Sequence, residues 1–246
     1  MFRSGFITLL GLPNAGKSSL LNHLVGEDIA IISPKAQTTR NILRGYVVKD
    51  DLRLIVTDTP GLQEGTKALN QVLTKNATKA LSQATKGEEI LMLVIDTVAL
   101  LLSIKNKKPH HLDVIGRFAE GACGKTTINV PIIPVFNKSD LLNNSDNRKE
   151  IERVLREELS KHFSKVEPAF WVSTREDEGI EELFAHLKTL IPLSEENIFE
   201  EDHLTDQNTR DLVAEFIREQ CFLKLAEEVP YSVAIEIESF NENTTT

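Results

Sequence analysis

A glycine-rich turn between a buried strand and a helix is the sequence feature that most constrains this chain. Residues 11–18 read Gly-Leu-Pro-Asn-Ala-Gly-Lys-Ser and fit the pattern GxxxxGK(S/T). The apolar run 6–10 precedes them as a predicted strand, and residues 18–25 follow with leucines at helical spacing. In such a turn the backbone N–H groups and the helix N-terminus face phosphate, and Lys17 adds a positive charge. The turn therefore predicts a nucleoside triphosphate site.

The same turn assigns individual residues. Lys17 is predicted to contact the β- and γ-phosphates, and Ser18 is predicted to bind Mg²⁺. Glycine-rich turns also occur in proteins that bind no nucleotide, but a strand and a helix both in register disfavour that alternative. The residues predicted to line the phosphates are Gly11, Asn14, Ala15, Gly16, Lys17, Ser18 and Ser19.

A second pattern, Asp-Thr-Pro-Gly at residues 58–61, closes the predicted strand 52–56. It matches the DxxG of GTPases, in which the Asp58 carboxylate would reach Mg²⁺ through water and the Gly61 N–H would meet the γ-phosphate. An ordinary turn is the alternative interpretation. The Thr-rich loop 27–41 offers a hydroxyl that could complete the metal coordination when a γ-phosphate is present. Within that loop, the residues alone do not separate Thr38 from Thr39.

A third pattern, Asn-Lys-Ser-Asp at residues 137–140, follows the predicted buried strand 132–136 and matches NKxD. The Asp140 carboxylate would accept from N1–H and the 2-amino group of guanine, Asn137 would reach N7, and the Lys138 stem would cover the ring. Adenine offers neither donor, so a site of this kind rejects ATP. A polar turn after a strand is the alternative.

Ser173 and Thr174 follow a short predicted strand at 170–172. GTPases place at this point a loop whose backbone N–H meets O6 of guanine. These two residues complete the predicted nucleotide site.

Predicted strands and helices alternate along most of the chain. Such alternation implies parallel strands with right-handed helical crossovers and a ligand at the carboxyl ends of the strands. The predicted fold is α/β, a P-loop NTPase with a mostly parallel sheet and helices on both faces. Further strands are predicted at 43–48 and 90–95, with 43–48 and 52–56 forming an antiparallel hairpin, and helices at 68–86, 112–120, 147–162 and 179–190.

The last part of the chain has a different pattern. An acidic run at 194–202 precedes a predicted helix at 212–225, with Leu212, Phe216 and Ile217 on one face, and a predicted half-buried strand at 232–237. One helix and one strand cannot bury a core of their own, so this part is predicted to be a fragment or to pack on the main domain.

Composition limits the function classes. The net charge is -9, and residues 194–246 carry 14 Asp and Glu against 3 Lys and Arg, which is -11. The remaining +2 on residues 1–193 does not indicate general affinity for nucleic acids. The two cysteines are far apart and match no zinc or disulfide pattern, which fits a reducing compartment. No apolar run approaches the roughly 20 residues of a membrane span, and no signal peptide is expected.

The motifs together resemble the Era family of bacterial and organellar GTPases. The resemblance extends beyond the motifs that GTPases share and covers nearly the whole chain. It includes Ser-Pro-Lys-Ala-Gln-Thr-Thr-Arg at 33–40, Leu-Thr-Asp at 204–206, Val-Ala-Glu at 213–215, Ile-Arg-Glu at 217–219 and Glu-Val-Pro-Tyr-Ser-Val at 228–233.

The resemblance implies a domain organisation and a set of partners. It implies an Era-type G domain at 1–193, an acidic linker at 194–208 and, at 209–246, the start of a type II KH domain, an incomplete α+β appendage. The expected partners are GTP, GDP and the end of the small-subunit rRNA, and a peripheral association with a membrane is left open. The expected location is a bacterial cytoplasm, or the interior of an organelle if a targeting segment has been removed.

The resemblance also implies catalytic roles. Thr39 would be the magnesium ligand of the loop, beside Ser18 and Asp58. Asn14 would help to hold a potassium ion that, together with Lys17, neutralises charge in the transition state. The position after DxxG, where other GTPases have a water-orienting Gln, is Leu62, so slow GTP hydrolysis is expected.

Two departures from the family leave an alternative open. Extra residues lie around 101–127, and the GxxG loop with which a KH domain grips nucleic acid is absent from this sequence. The alternative hypothesis is a guanine-nucleotide switch that has lost contact with rRNA, which the acidic tail would favour.

Overall fold

Seven strands of one sheet and five α-helices make up the described part of the computed structural model. The described residues are 1–33, 42–59, 61, 89–106, 114, 116, 127–142, 145–200, 202–225, 229 and 233–240. The strands are Phe2–Leu10 (β1), Leu43–Lys49 (β2), Leu52–Asp58 (β3), Glu89–Asp96 (β4), Ile132–Asn137 (β5), Phe170–Trp171 (β6) and Leu193–Ser194 (β7). The helices are Lys17–Val25 (α1), Thr97–Lys105 (α2), Ser145–Leu159 (α3), Ile180–Leu190 (α4) and Thr209–Lys224 (α5), with a 3-10 helix at Ser139–Leu141.

The strand order is β2-β3-β1-β4-β5-β6, and β7 pairs with β1 outside this path. Strands β3, β1, β4, β5 and β6 are parallel, whereas β2 is antiparallel to β3 and β7 to β1. Because parallel strands end at the same edge of a sheet, the turns after β1, β3, β4 and β5 meet there. The register places Asp58 beside Leu9 and Asp96 beside Asn137 at that edge.

Helices cover both faces of the sheet. Alternate residues of β4 point to opposite faces, so Met92 packs in the cluster that includes Leu21 of α1 and Leu183 of α4. Leu93 packs instead in the cluster that includes Leu100 of α2 and Leu155 of α3. The two clusters are the two halves of the core, on either side of a buried sheet.

The predicted fold class is confirmed, and the observed strands and helices differ from the predicted ones mainly at their ends. The predicted helix at 68–86 lies outside the described residues. Of the predicted helix at 112–120, the described residues Val114 and Gly116 are both helical. No helix within the described ranges has the length and apolar content that crossing a membrane requires.

The predicted acidic linker lies along β2. Thr205 forms an isolated antiparallel bridge with Gly45, and the Phe199 ring stacks on Tyr46 with ring centroids 4.7 Å apart. This segment therefore contacts the edge strand of the sheet.

The residues that helix α5 buries do not belong to the apolar face that its sequence pattern marks. Leu212 is half-buried, but Phe216 and Ile217 are 37% and 44% exposed, whereas Arg218 and Phe222 are buried. The apolar face of a helix is therefore not always the face that it buries. Here an arginine is buried instead, paired with Glu215 three residues earlier on the same helix.

The predicted strand at 232–237 is wrong for its described part. Residues 233–240 are described, and none of them is in a strand. Val233, Ile235 and Ile237 are half-buried and Ala234 and Glu236 exposed, so the predicted alternation of burial is present. A strand also needs a hydrogen-bonded neighbour, which an alternating pattern cannot supply.

Candidate nucleotide-binding site

The glycine-rich turn joins β1 to α1 at the sheet edge where the parallel strands end. Gly16 has φ 92° and lies immediately before the first turn of α1, and Asn14 has φ 62°. A side chain at Gly16 would place its Cβ 2.1 Å from the Asn137 side-chain nitrogen. Glycine is therefore required at this position both by the backbone conformation and by the close approach of β5.

Lys17 is buried under this turn. Its Nζ donates to the carbonyl oxygens of Gly11 and Leu12, at 3.2 and 3.1 Å. Burial lowers the pKa of the Lys17 ammonium from its ordinary value, and the nearby Asp58 carboxylate opposes this shift. The turn thus holds a buried cation whose partners on the turn are neutral carbonyl groups.

Ser18 and Asp58 meet at the start of α1. The Ser18 hydroxyl donates to Oδ2 of Asp58 at 2.6 Å, and Asp58 is fully buried at the end of β3. A hydroxyl and a carboxylate so close together form an oxygen donor set, which is the type that Mg²⁺ prefers. The residues present therefore fit the predicted metal. The third predicted ligand, Thr39, lies outside the described residues.

The DxxG segment lies against the glycine-rich turn. The Thr59 hydroxyl donates to the Leu9 carbonyl at 2.7 Å and is buried. A Cβ at Gly61 would come within 2.6 Å of the Pro13 nitrogen. Gly61 is thus placed beside the predicted phosphate site, and a larger residue would separate the two turns.

Asn137 and Lys138 bring the NKxD segment into contact with the same turn. The Asn137 side chain donates from Nδ2 to the Ala15 carbonyl at 3.2 Å and accepts from the Lys138 N–H at 2.8 Å. Lys138 donates from Nζ to the Asn14 carbonyl at 2.9 Å. The predicted phosphate and guanine segments are therefore one connected structure.

Asp140 is oriented by the loop after β6. The Ser173 hydroxyl donates to Oδ1 of Asp140 at 2.7 Å, and Ser173 is fully buried. The Ser173 N–H donates to the Glu178 carbonyl at 3.0 Å. The side chain of Ser173 thus positions the carboxylate that is predicted to read guanine, and the predicted contact from the backbone of this loop to guanine O6 stays a prediction.

A cavity of about 610 Å³ lies beside these segments, a size typical of small-molecule sites. Ser19 and Thr174 both line it, which places two predicted contact residues on one wall. The other lining residues come from α1, from the segment after it and from the β6 loop: Asn22, His23, Gly26, Glu27, Asp28, Ile32 and Arg175.

Sequence reasoning missed two residues at the end of β4. Asp96 accepts from the Lys138 ammonium, and the fully buried Thr97 donates from its hydroxyl to the Asn137 carbonyl at 2.6 Å. A signal was available, since both follow the predicted strand 90–95 and so fall at the edge where the other motifs lie.

These features define a P-loop nucleotide-binding protein. The family of 50S ribosome-binding GTPases matches residues 6–138. GTPase Era of Nitratidesulfovibrio vulgaris is 34% identical over 98% of this chain and 73% of its own length. GTPase Era of Crocosphaera subtropica is 34% identical over 98% of this chain and 70% of its own length.

A solved structure of Era in complex with MgGDPNP and nucleotides 1506–1542 of 16S ribosomal RNA is similar in fold. The TM-score is 0.74 at 28% identity, over 94% of this chain and 71% of that one. The chain belongs to the Era family of GTPases.

Replacing the buried lysine should separate stability from binding. We expect Lys17→Met to abolish the thermal stabilisation by GDP, but to raise the unfolding midpoint of the nucleotide-free protein by about 2–4 °C. Burying an ammonium costs free energy, and a gain of about 1 kcal/mol gives a shift of that size in a chain of this length. Differential scanning fluorimetry measures both effects.

The expected difference in unfolding midpoint between Lys17→Met and the wild type depends on pH. Because folding lowers the pKa of Lys17, this side chain loses its proton at a lower pH in the folded state than in the unfolded state. The free energy of unfolding of the wild type therefore rises as pH increases from the lowered pKa towards 10.5. The advantage of Lys17→Met should therefore shrink in that window. Lys105→Met changes an exposed lysine and serves as the control. A lower midpoint for Lys17→Met at neutral pH would contradict the interpretation.

Proposed function

We propose that this protein binds GTP and GDP at the edge of its sheet, hydrolyses GTP slowly, and acts as a switch in small ribosomal subunit assembly. One observation carries the nucleotide part of the proposal. The Lys17 turn and the Asn137 segment are in direct contact, through the bond from the Asn137 amide to the Ala15 carbonyl. A single nucleotide can therefore reach both.

Guanine selectivity follows from Asp140. Its two carboxylate oxygens match the N1–H and 2-amino donors of guanine, and the Ser173 hydroxyl holds one of those oxygens in place. Adenine would leave the buried polar groups unpaired, which costs binding free energy. Asn137 and the stem of Lys138 would contact N7 and the ring face.

GTP hydrolysis needs the triphosphate charge to be neutralised. Lys17 supplies one positive charge, and Ser18, Asp58 and Thr39 would hold Mg²⁺, which stabilises negative charge on the phosphate oxygens when bound. The backbone around Gly61 would meet the γ-phosphate. Since Leu62 offers no hydrogen bond to the attacking water, we expect the hydrolysis to be slow.

A potassium ion at Asn14 is the further cofactor that we propose. Asn14 lies in the glycine-rich turn with φ 62°, and its carbonyl oxygen accepts from the Lys138 ammonium, so we assign the cation to its side-chain oxygen. A monovalent cation there would add positive charge beside the phosphates, as an arginine does in other GTPases.

The ribosomal part of the proposal rests on the Era relatives. They match 98% of this chain, whereas the broader family, whose description names the 50S subunit, matches residues 6–138. The solved Era relative binds 16S rRNA. We therefore propose a small-subunit rRNA partner, with residues 209–246 as the start of a KH domain after the linker 194–208. This is favoured over a switch without rRNA contact.

The same relatives come from bacteria, so we propose a bacterial cytoplasmic location. The organellar location and a peripheral contact with a membrane stay predictions from the sequence. Vesicle flotation and cell fractionation would test them.

Changing the guanine-reading carboxylate should change the preferred base. Asp140→Asn replaces an acceptor by a donor, which suits the 2-oxo group of xanthine and not the 2-amino group of guanine. We expect GDP affinity to fall at least about 100-fold and XDP affinity to rise. Calorimetric titration of GDP, XDP and ADP measures this. Tight binding of ADP by the wild type would disprove guanine selectivity.

Replacing sodium by potassium at constant ionic strength should raise the GTP turnover of the wild type, by about tenfold if the cation acts as a charge-stabilising group. Asn14→Gly should abolish this difference, because glycine tolerates the positive φ but offers no side-chain oxygen. Phosphate release under single-turnover conditions measures the rate. An unchanged potassium response in Asn14→Gly would exclude a role for its side chain.

The full chain with GDPNP should bind an RNA of the 16S 3′ end in a gel shift, and binding should weaken steeply with salt because phosphates are neutralised. An RNA of equal length and scrambled sequence is the control. If neither RNA binds at low salt, the switch without rRNA contact becomes the better hypothesis.

A further inference from the structure

We propose that Asp96 is a positioning residue for guanine recognition, which anchors Lys138 before the nucleotide arrives. This inference rests on the proposed function, since Lys138 can cover a guanine only if the site binds one. Asp96 belongs to none of the three motifs. It is the last residue of β4, and the register places it beside Asn137 of β5.

The two carboxylate oxygens of Asp96 have different partners. Oδ1 accepts from the Ala99 N–H at 2.9 Å and caps the N-terminus of α2. Oδ2 accepts from the Lys138 ammonium at 2.6 Å. The helix therefore fixes the carboxylate, and the carboxylate fixes the lysine.

Lys138 is held at two points. Besides Asp96, its Nζ donates to the Asn14 carbonyl of the glycine-rich turn. Its backbone has φ 62°, in the left-handed region, and its side chain reaches both acceptors from there. The side chains of Lys138 and Asp96 are 35% and 18% exposed, so solvent competes only in part for this ion pair.

This anchoring matters for affinity because a free lysine side chain loses rotamer freedom when it is ordered against a ligand. In this structure the stem of Lys138 is already stretched between two acceptors. Pre-organisation of this kind lowers the entropy cost of binding. Its loss is therefore expected mainly in the rate at which nucleotide leaves.

Thr97, the residue after Asp96, also holds the NKxD segment in place. Thr97 is fully buried and donates from its hydroxyl to the carbonyl oxygen of Asn137. The junction between β4 and α2 thus contacts two consecutive residues of the NKxD segment. Capping of α2 requires neither the contact of Asp96 with Lys138 nor that of Thr97 with Asn137.

Asp96→Asn separates the two functions of the carboxylate. Asparagine caps a helix as well as aspartate does. Its side chain has one oxygen, which the cap uses, and its NH2 group cannot accept from Lys138. We expect the Kd for GDP to rise about tenfold, mostly through faster release, with the unfolding midpoint of the nucleotide-free protein unchanged.

Glu181→Gln is the matched control. It removes the exposed ion pair between Lys49 and Glu181, which has a similar distance of 2.7 Å. Lys49 pairs with Leu52 at the start of β3, the opposite end of that strand from Asp58. This variant should leave the Kd for GDP unchanged. Stopped-flow release of a fluorescent GDP analogue gives the dissociation rates for all variants.

A double-mutant cycle tests that Asp96 acts through Lys138. In a Lys138→Met background, Asp96→Asn should change the Kd by less than about twofold, because the anchored group is gone. The same tenfold loss in that background would overturn the proposal, as would an unchanged Kd for Asp96→Asn alone. A wild type that binds no GDP would overturn the proposed function together with this inference.

Discussion

The hydrogen bond from the Asn137 amide to the Ala15 carbonyl joins the two segments on which the whole site depends. Gly16 makes it possible, because any side chain there would collide with Asn137. Parallel pairing brings the end of β5 near the turn after β1, with β4 between them. The predicted phosphate-binding turn and the predicted base-reading segment, in contact through residues 122 positions apart in sequence, thus form one surface, as the carboxyl edge of a parallel sheet permits.

The sequence was sufficient for the sheet and for the positions of the motifs, since strand and helix periods are local and the motif spacing follows from them. It was insufficient for the bonds between segments. The sequence predicted a backbone role for the loop at Ser173 but gave no sign that the Ser173 hydroxyl holds Asp140. The contact between Ser173 and Asp140 depends on the packing of β6 against β5, which a local sequence pattern cannot predict. Asp96 was missed because it belongs to no shared motif, although its place after a buried strand was visible.

In the C-terminal part, the sequence pattern identified a helix but not the residues that the helix buries. The sequence pattern places Leu212, Phe216 and Ile217 on one apolar face, but the residues that α5 buries are Arg218 and Phe222. A hydrophobic pattern identifies a helix more securely than the face it buries, because an arginine paired on its own helix can also be buried. The Era relatives still match this region, so its sequence follows the family even where simple periodicity misleads.

Lys17 and Lys138 show two ways of preparing a cation for a ligand. Lys17 is buried with its ammonium on two carbonyl oxygens of the turn, and burial lowers its pKa although Asp58 opposes the shift, so an anionic phosphate chain would favour its charged form. Lys138 is paired with Asp96, and its charge is already satisfied, so it offers its hydrocarbon stem. The arrangement of Lys17 would favour nucleotide binding through its charge, and that of Lys138 through the fit of its side chain to the base. In the function proposed here, the charge of Lys17 would attract the phosphates of any nucleotide, whereas Asp140 and the anchored Lys138 would select guanine.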